Sequence, residues 1–240
     1  MLEIELLSTQ TRPAVIHAQG HHVYKPHWRP IRSAFFATAP SRQVLPPELC
    51  ILTCNNGNTA MGCFEQSLRH LGLQCMVVGQ GVNPWVNSRD KPLLIAAAAR
   101  RTTAEYILYA DSRDAILIQP PRVVLQRFVS DFSCDLLFGG DRLSYPPDAE
   151  CRRYEKHLPG AERSEFKYLN AGAWIGKTRF VSEFFTAACA GRPCAGAPHS
   201  EQGILRKLLP KFEGRVAIDS SCNIFLNVGF AFAPELYTQR

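Results

Sequence analysis

No window of this sequence approaches the roughly 18 consecutive apolar residues that a membrane-spanning helix requires, although 46% of its residues are hydrophobic. A helical membrane span is therefore excluded. Long runs of one charge are missing too. The 27 Lys+Arg and 21 Asp+Glu residues leave a net charge of +6, and bases adjoin only in short pairs such as Arg100-Arg101 and Arg152-Arg153. Such scattering does not make a nucleic-acid stripe, whereas a mild positive balance suits a small anionic ligand. The nine cysteines contain no CxxC pair and no Cys/His ladder with zinc spacing. Cys50 and Cys54 flank an apolar triplet and read as small buried hydrophobes, and Cys189 and Cys194 as thiols. Internal repeats and low-complexity stretches are absent, which removes solenoids and linkers. The opening stretch MLEIELLSTQTRP carries acids where a secretory signal carries bases, so it is read as uncleaved and the chain as cytoplasmic.

What is present fits one α/β domain over residues 1–240. Residues 1–48 are the least regular part, with six prolines from Pro13 to Pro47 preventing a long helix. From residue 49 onward strand and helix signals alternate. Residues 49–53 read as a strand, 61–71 as a helix closed by Gly72, and 75–79 as a second strand, which is a βαβ unit. Further strands are expected at 106–110, 135–139, 166–176, 216–219 and 224–226. Helices are expected at 93–104, 122–132, 178–189 and 203–209, the last capped by Ser200. Residues 148–167 read as a polar surface excursion that shapes an acceptor site. The predicted fold is a Rossmann-like α/β domain whose mixed, mostly parallel sheet is flanked by helices.

The chain turns on residues 106–118, YILYADSRDAILI. An apolar strand that ends in acids places them at the carboxyl edge of a sheet, where open α/β sheets bind ligands. Asp111 and Asp114 suit a hard divalent cation, which takes oxygen ligands and keeps positions for water and phosphate. The other reading is that both acids cap the following turn and pair with Arg113. The loop 79–91 offers Trp85 for stacking on a base or for packing inward, and the basic Lys91. Residues 14–20 form a short apolar strand ending in His17-Ala18-Gln19-Gly20, followed by Lys25-Pro26-His27-Trp28. That places an imidazole and an ammonium on one side of a tight loop.

The segments YADSRD, LLFGGD, KYLNAGAWIG, SEQGILRKL and AIDSSCNIF, in that order over about residues 49–227, resemble the glycosyltransferase domain of the procollagen lysyl hydroxylase and collagen glucosyl/galactosyltransferase family, a GT-A-type fold. The resemblance implies that Asp111 and Asp114 ligate a Mn²⁺ (or Mg²⁺) bridging the diphosphate of a UDP-sugar, with Ser112 between them. It puts Thr53, Cys54 and Asn55 at the uridine, and Asn170, Ala171 and Gly172 along the donor sugar. It aligns Glu201 and Gln202 with an acidic-acidic-Gln motif, with Ser200 replacing one acid. Asp141 stands where the family has Glu, as a holder of a sugar or acceptor hydroxyl. Ala171 and Ala173 replace Ser and Gly, so sugar contacts differ.

The family's His-x-x-Gly segment, whose His is a third metal ligand, belongs near the C-terminus, and here only NVGFAFAPELYTQR follows Phe225. His17-x-x-Gly20 with Lys25 stands at the other end, which points to circular permutation, with residues 1–48 as the displaced metal-binding tail. Residues 29–48 reach roughly 66 Å when extended, enough to cross a domain. The other reading of His17 is a satisfied histidine at a strand end. The resemblance thus implies a Mn-dependent hexosyltransferase, leaning to retention, with Lys25 and His22 adding positive charge at the leaving group, and Asn170, Asp141 and Glu201 placing hydroxyls. Its acceptor is a carbohydrate, lipid or protein. The competing classes are a metal-dependent nucleotidyltransferase or phosphohydrolase, and a non-catalytic nucleotide-binding module.

Overall fold

A computed structural model describes residues 2–20, 26–57, 61–229 and 236–239. Its strands are β1 (Glu3–Leu6), β2 (Val15–His17), β3 (Leu49–Cys54), β4 (Met76–Val78), β5 (Tyr106–Ala110), β6 (Ala115–Leu117), β7 (Leu136–Asp141), β8 (Tyr168–Lys177), β9 (Val216–Asp219), β10 (Phe225–Asn227) and β11 (Leu236–Gln239). The helices are α1 (Trp28–Phe36), α2 (Cys63–His70), α3 (Asn87–Arg101), α4 (Pro121–Asp131), α5 (Ala149–Lys156), α6 (Thr178–Cys189) and α7 (Gln202–Leu208). The main sheet has six strands in the order β4-β3-β5-β8-β7-β9. All its pairings are parallel except those of β8, which runs antiparallel to both neighbours. The sheet is the mixed, mostly parallel one that the alternating strand and helix signals predict.

Both faces of this sheet are covered, and the alternation along β5 shows why its strands read as continuous apolar runs. Leu108 and Ala110 enter one apolar cluster with Phe64 and Leu68 of α2, Val124 and Phe128 of α4, and Ile31 and Phe35 of α1. Ile107 and Tyr109 point the other way, into a second cluster with Ile95 and Ala99 of α3, Phe184 of α6 and Ile204 of α7. Tyr109 stacks on Trp174 of β8 with ring centroids 5.0 Å apart.

A smaller sheet, β10-β2-β6, brings distant parts of the chain together. β2 lies parallel to β10, with Val15 opposite Phe225 and His17 opposite Asn227, and antiparallel to β6, with His17 opposite Ala115. β1 pairs antiparallel with β11.

Three local expectations need correction. The N-cap of α7 is Glu201 rather than Ser200, and it makes no side-chain cap bond. The helix in the loop after β4 starts at Asn87 rather than near residue 93, because Asp90 accepts a bond from the Val86 amide at 2.6 Å and closes the first turn. Residues 148–167 are more than a surface excursion: α5 lies there, capped by Asp148, and its Glu155 forms a fully buried ion pair with Arg206. A polar composition concealed it, because the buried side chains are themselves charged.

Candidate active site

Asp111 follows the last residue of β5, and its amide donates to the Gly172 carbonyl at 2.8 Å. Gly172 lies where β8 departs from its pairing with β7: Phe138 faces Trp174, but the next residue, Gly139, faces Asn170. The three residues 171–173 bulge from that ladder, a device that re-aims a strand beside a site. The turn after Asp111 leads through Asp114 into β6, and the Ala18 amide donates to the Asp114 carbonyl at 2.8 Å. The end of β2 is thereby fastened to the acidic turn.

His17 results from that fastening. Its Nε2 lies 3.5 Å from Asp114 Oδ1 and 3.8 Å from Asp111 Oδ2. One ligand atom from each of the three residues can be chosen so that all lie within 4.8 Å of one another. His17 is only 3% exposed, and its Nε2 makes no hydrogen bond. Its other nitrogen, Nδ1, lies 2.7 Å from Asn227 Oδ1. The amide nitrogen of Asn227 donates to the Gly140 carbonyl at 3.0 Å, which turns the Asn227 oxygen towards His17. Nδ1 is then the donor, so in the neutral ring the Nε2 lone pair faces the two carboxylates. A Cβ on Gly172 would collide with the imidazole ring, so only glycine leaves room for it. Burial, the largest influence on His17, lowers its pKa, but Asp114 and Asp111 together outweigh it and the pKa is raised.

The two oxygens of Asp111 are divided. Oδ1 accepts from Tyr109 at 2.7 Å and from Lys91 at 2.8 Å, while Oδ2 is on the His17 side. Lys91 also donates to Glu201 Oε1 at 2.8 Å. Burial works to lower the Lys91 pKa, yet Asp111 and Glu201 outweigh it and the pKa is raised, so the ammonium stays charged. An orphaned buried nitrogen facing two carboxylate oxygens is a donor set that fits a divalent cation.

Beside this group lies a cavity of about 640 Å³, lined by Gly20, Cys54, Asn55, Trp85, Lys91, Asp111, Ser112 and Asp114 among others. Burial pushes the Cys54 thiol up to about 12, so it is a neutral wall. Trp85 is half-buried and donates to Asn87 at 2.5 Å. Thr53 is set back from the cavity: it is fully buried and its hydroxyl donates to the Ala110 carbonyl at 2.7 Å, bracing β3 against β5. The Ser112 hydroxyl is committed to Glu65 at 2.6 Å, as is the Asn55 amide at 2.7 Å. Lys25 and His22 lie outside the described residues.

Asp141, Asn170 and Gly172 form a connected group on the β7–β8 side. Asp141 Oδ2 accepts from Asn170 at 3.0 Å and from Gln19 at 2.8 Å, and its Oδ1 accepts from the Leu143 amide at 3.0 Å. Asn170 in turn accepts from the Gly172 amide at 2.8 Å. Burial is the main influence on Asp141 and pushes its pKa up. Gln202 accepts from the Ala171 amide at 2.8 Å and donates to the Tyr145 carbonyl at 2.6 Å, so both ends of its amide hold backbone.

Sequence reasoning missed Asn227, Glu65, Gln19 and Tyr109. Tyr109 and Gln19 lie within motifs already noted, so their chain positions were a usable signal. Asn227 and Glu65 act only through contacts across the fold and left none.

Residues 46–191, more than half of the chain, match the family model described as the PLOD GT domain. The chain belongs to this family of glycosyltransferase domains, of GT-A type, and is a glycosyltransferase. Among solved structures it is similar to a glycosyltransferase involved in the glycosylation of the major capsid of PBCV-1, with a TM-score of 0.40, 13% identity, and coverage of 72% of this chain and 82% of that one. A search of curated proteins found no match. No helix among the described residues is long and apolar enough to cross a membrane.

Proposed function

We propose that this glycosyltransferase moves a hexose from a UDP-sugar to an acceptor hydroxyl, with His17, Asp111 and Asp114 holding Mn²⁺ (or Mg²⁺). The observation that carries this reading is the His17 Nε2, buried without a hydrogen-bond partner and 3.5 Å and 3.8 Å from the two carboxylates. An imidazole beside carboxylates suits Mn²⁺ better than Mg²⁺, which prefers oxygen alone. When bound, the ion would act as a Lewis acid that makes the nucleoside diphosphate a better leaving group.

The remaining work falls to the chain. The cavity wall at Cys54, Asn55 and Trp85 would receive the uridine, with Trp85 stacking on the base. Lys91 keeps a fixed positive charge against Asp111 and Glu201, where it would favour an anionic donor. Asn170, Asp141 and Glu201 would position hydroxyls. Neither carboxylate is set up as a general base, since Asp141 already accepts three bonds and Glu201 is buried against Lys91. That suits retention, in which the departing phosphate oxygen itself takes the acceptor proton. Residues 1–48 are read as the family's metal-binding tail carried at the N-terminus of one 1–240 domain. The pairing of β2 with β10, which sets the end of β2 beside one of the chain's last described strands, supports this.

Release of UDP from UDP-glucose and UDP-galactose, measured with Mn²⁺ and a mixture of acceptors, tests the reading. Turnover that EDTA abolishes is expected, and absence of turnover with every donor would sink it. Mn²⁺ affinity unchanged in His17→Ala would remove the N-terminal segment from the site.

A further inference from the structure

A second feature lies beyond the far end of the loop that leaves Asp141. Residues 142–148 lead from Asp141 to α5, and their course is fixed from beneath by buried charge. Arg206 pairs with Glu155 at 2.6 Å and also donates to the Pro146 carbonyl at 2.5 Å and the Ser144 hydroxyl at 2.6 Å. Gln202 holds the Tyr145 carbonyl from the site side. Ser144 follows Asp141 by three residues and so lies within roughly 10 Å of it.

The inner face of α5, Cys151 and Glu155, is buried. Its outer side presents Arg152, Arg153 and Lys156, all exposed, and His157 continues it. Arg152 and Lys156 are four residues apart, so their side chains lie on one side of the helix, and like charges at that spacing repel. None of the three cations makes an ion pair among the described residues. Of the two acids beside them, Asp148 is engaged in capping α5 through the Glu150 and Cys151 amides at 3.1 Å and 3.0 Å, and Glu150 lies exposed in the first turn of the helix. Together with Ser144 and Pro147 these groups line a groove of about 720 Å³. On the same loop Tyr145 is 50% exposed.

Resting on the glycosyl-transfer reading, we infer that this groove binds the acceptor and that the acceptor is an anionic oligosaccharide. Three cations without an ion pair among the described residues, on a helix anchored from beneath, match carboxylate, sulfate or phosphate groups, and arginine matches them in paired geometry. An exposed aromatic ring on the same loop offers a face for a sugar ring, which an acidic peptide would not need. The loop joins the groove to Asp141, so a chain seated on α5 would extend towards the transfer site.

The test is binding of an oligogalacturonate, a malto-oligosaccharide of equal length and a poly-glutamate peptide to the full chain, by calorimetry. Wild type is compared with Arg152→Glu/Arg153→Glu/Lys156→Glu and with Arg69→Glu/Arg101→Glu/Lys211→Glu, whose exposed cations do not line the groove. Oligogalacturonate is expected to bind wild type and the second variant alike, and to lose about tenfold or more in affinity in the first, with the affinity falling between about 50 and 300 mM salt. Equal binding by both variants, or none by wild type at low salt, overturns the inference. Poly-glutamate binding as tightly as the oligogalacturonate overturns the assignment to a saccharide. UDP binding with Mn²⁺, measured on the same samples, is expected to be equal in all three. Its absence from wild type would sink the donor reading and leave the groove result standing.

Discussion

Asn227 is outside the candidate metal group and orients it through His17. Its amide is locked by the Gly140 carbonyl, and its oxygen holds His17 Nδ1 at 2.7 Å, which fixes both the tautomer and the plane of the ring. Loss of such a partner typically weakens metal affinity by about 10- to 100-fold. Asn227→Ala is therefore expected to weaken Mn²⁺ binding by that order while leaving the fold intact, as read by manganese titration alongside circular dichroism. Affinity equal to wild type would mean that His17 is oriented by its burial alone. At this scale the sequence was informative about the residues whose chemistry is their own. Asp111, Asp114 and His17 stand at strand ends, and the structure brings them together. The sequence did not disclose that the hydroxyls of Thr53 and Ser112 are spent on the Ala110 carbonyl and on Glu65. A hydroxyl beside a site is as readily used to brace a strand as to meet a ligand, and only the three-dimensional partner decides which.

Elements were legible where hydrophobic periodicity was strong, as in β3, β5 and α6, and less so where charge does the packing. The residues just before β7 show a small case. Asp135 receives Lys177 at 2.8 Å from the end of β8 and Arg215 at 2.7 Å from the approach to β9, so one carboxylate joins three strand ends. Burial is the largest single influence and raises its pKa, but the two cations together prevail and the pKa is lowered. An acid with a depressed folded pKa contributes stability above its unfolded value near 3.8, and that contribution is lost as pH falls through the folded value. Both cations are half-exposed, so the gain is under about 1 kcal/mol. Asp135→Asn should lower the denaturation midpoint slightly at neutral pH and match wild type near pH 2. A difference that persists unchanged in acid would show that the loss is not electrostatic. The buried pair beneath α5 is a larger matter. Removing one partner of such a pair typically costs about 3–5 kcal/mol, because the other charge is left buried and alone. Glu155→Ala is expected to reach that range in chemical denaturation, and a loss below about 1 kcal/mol would mean that water reaches Arg206.

Across the whole molecule, the candidate site depends on parts of the chain that are remote in sequence. His17 and Asn227 are 210 residues apart, and the small β10-β2-β6 sheet brings them together, with His17 beside the acidic turn that follows β5. The His17-x-x-Gly20 segment was legible as a strand end carrying an imidazole, and the structure places that imidazole 3.5 Å and 3.8 Å from the two acids. The β2–β10 pairing itself was not legible, because two three-residue strands carry too little pattern to specify a partner. A cation held by ligands from both regions would oppose their separation, and unfolding would release it. At a free concentration about 100 times its dissociation constant, an ion bound only by the folded state adds about 2.7 kcal/mol. For a chain of this size that raises Tm by about 5–10 °C. Mn²⁺ should therefore raise the Tm of wild type by that amount, and His17→Ala should remove most of the rise although Asp111 and Asp114 remain. If the variant gained as much as wild type, the stabilising ion would be held by the acidic turn alone, and the N-terminal strand would be only a structural neighbour of the site.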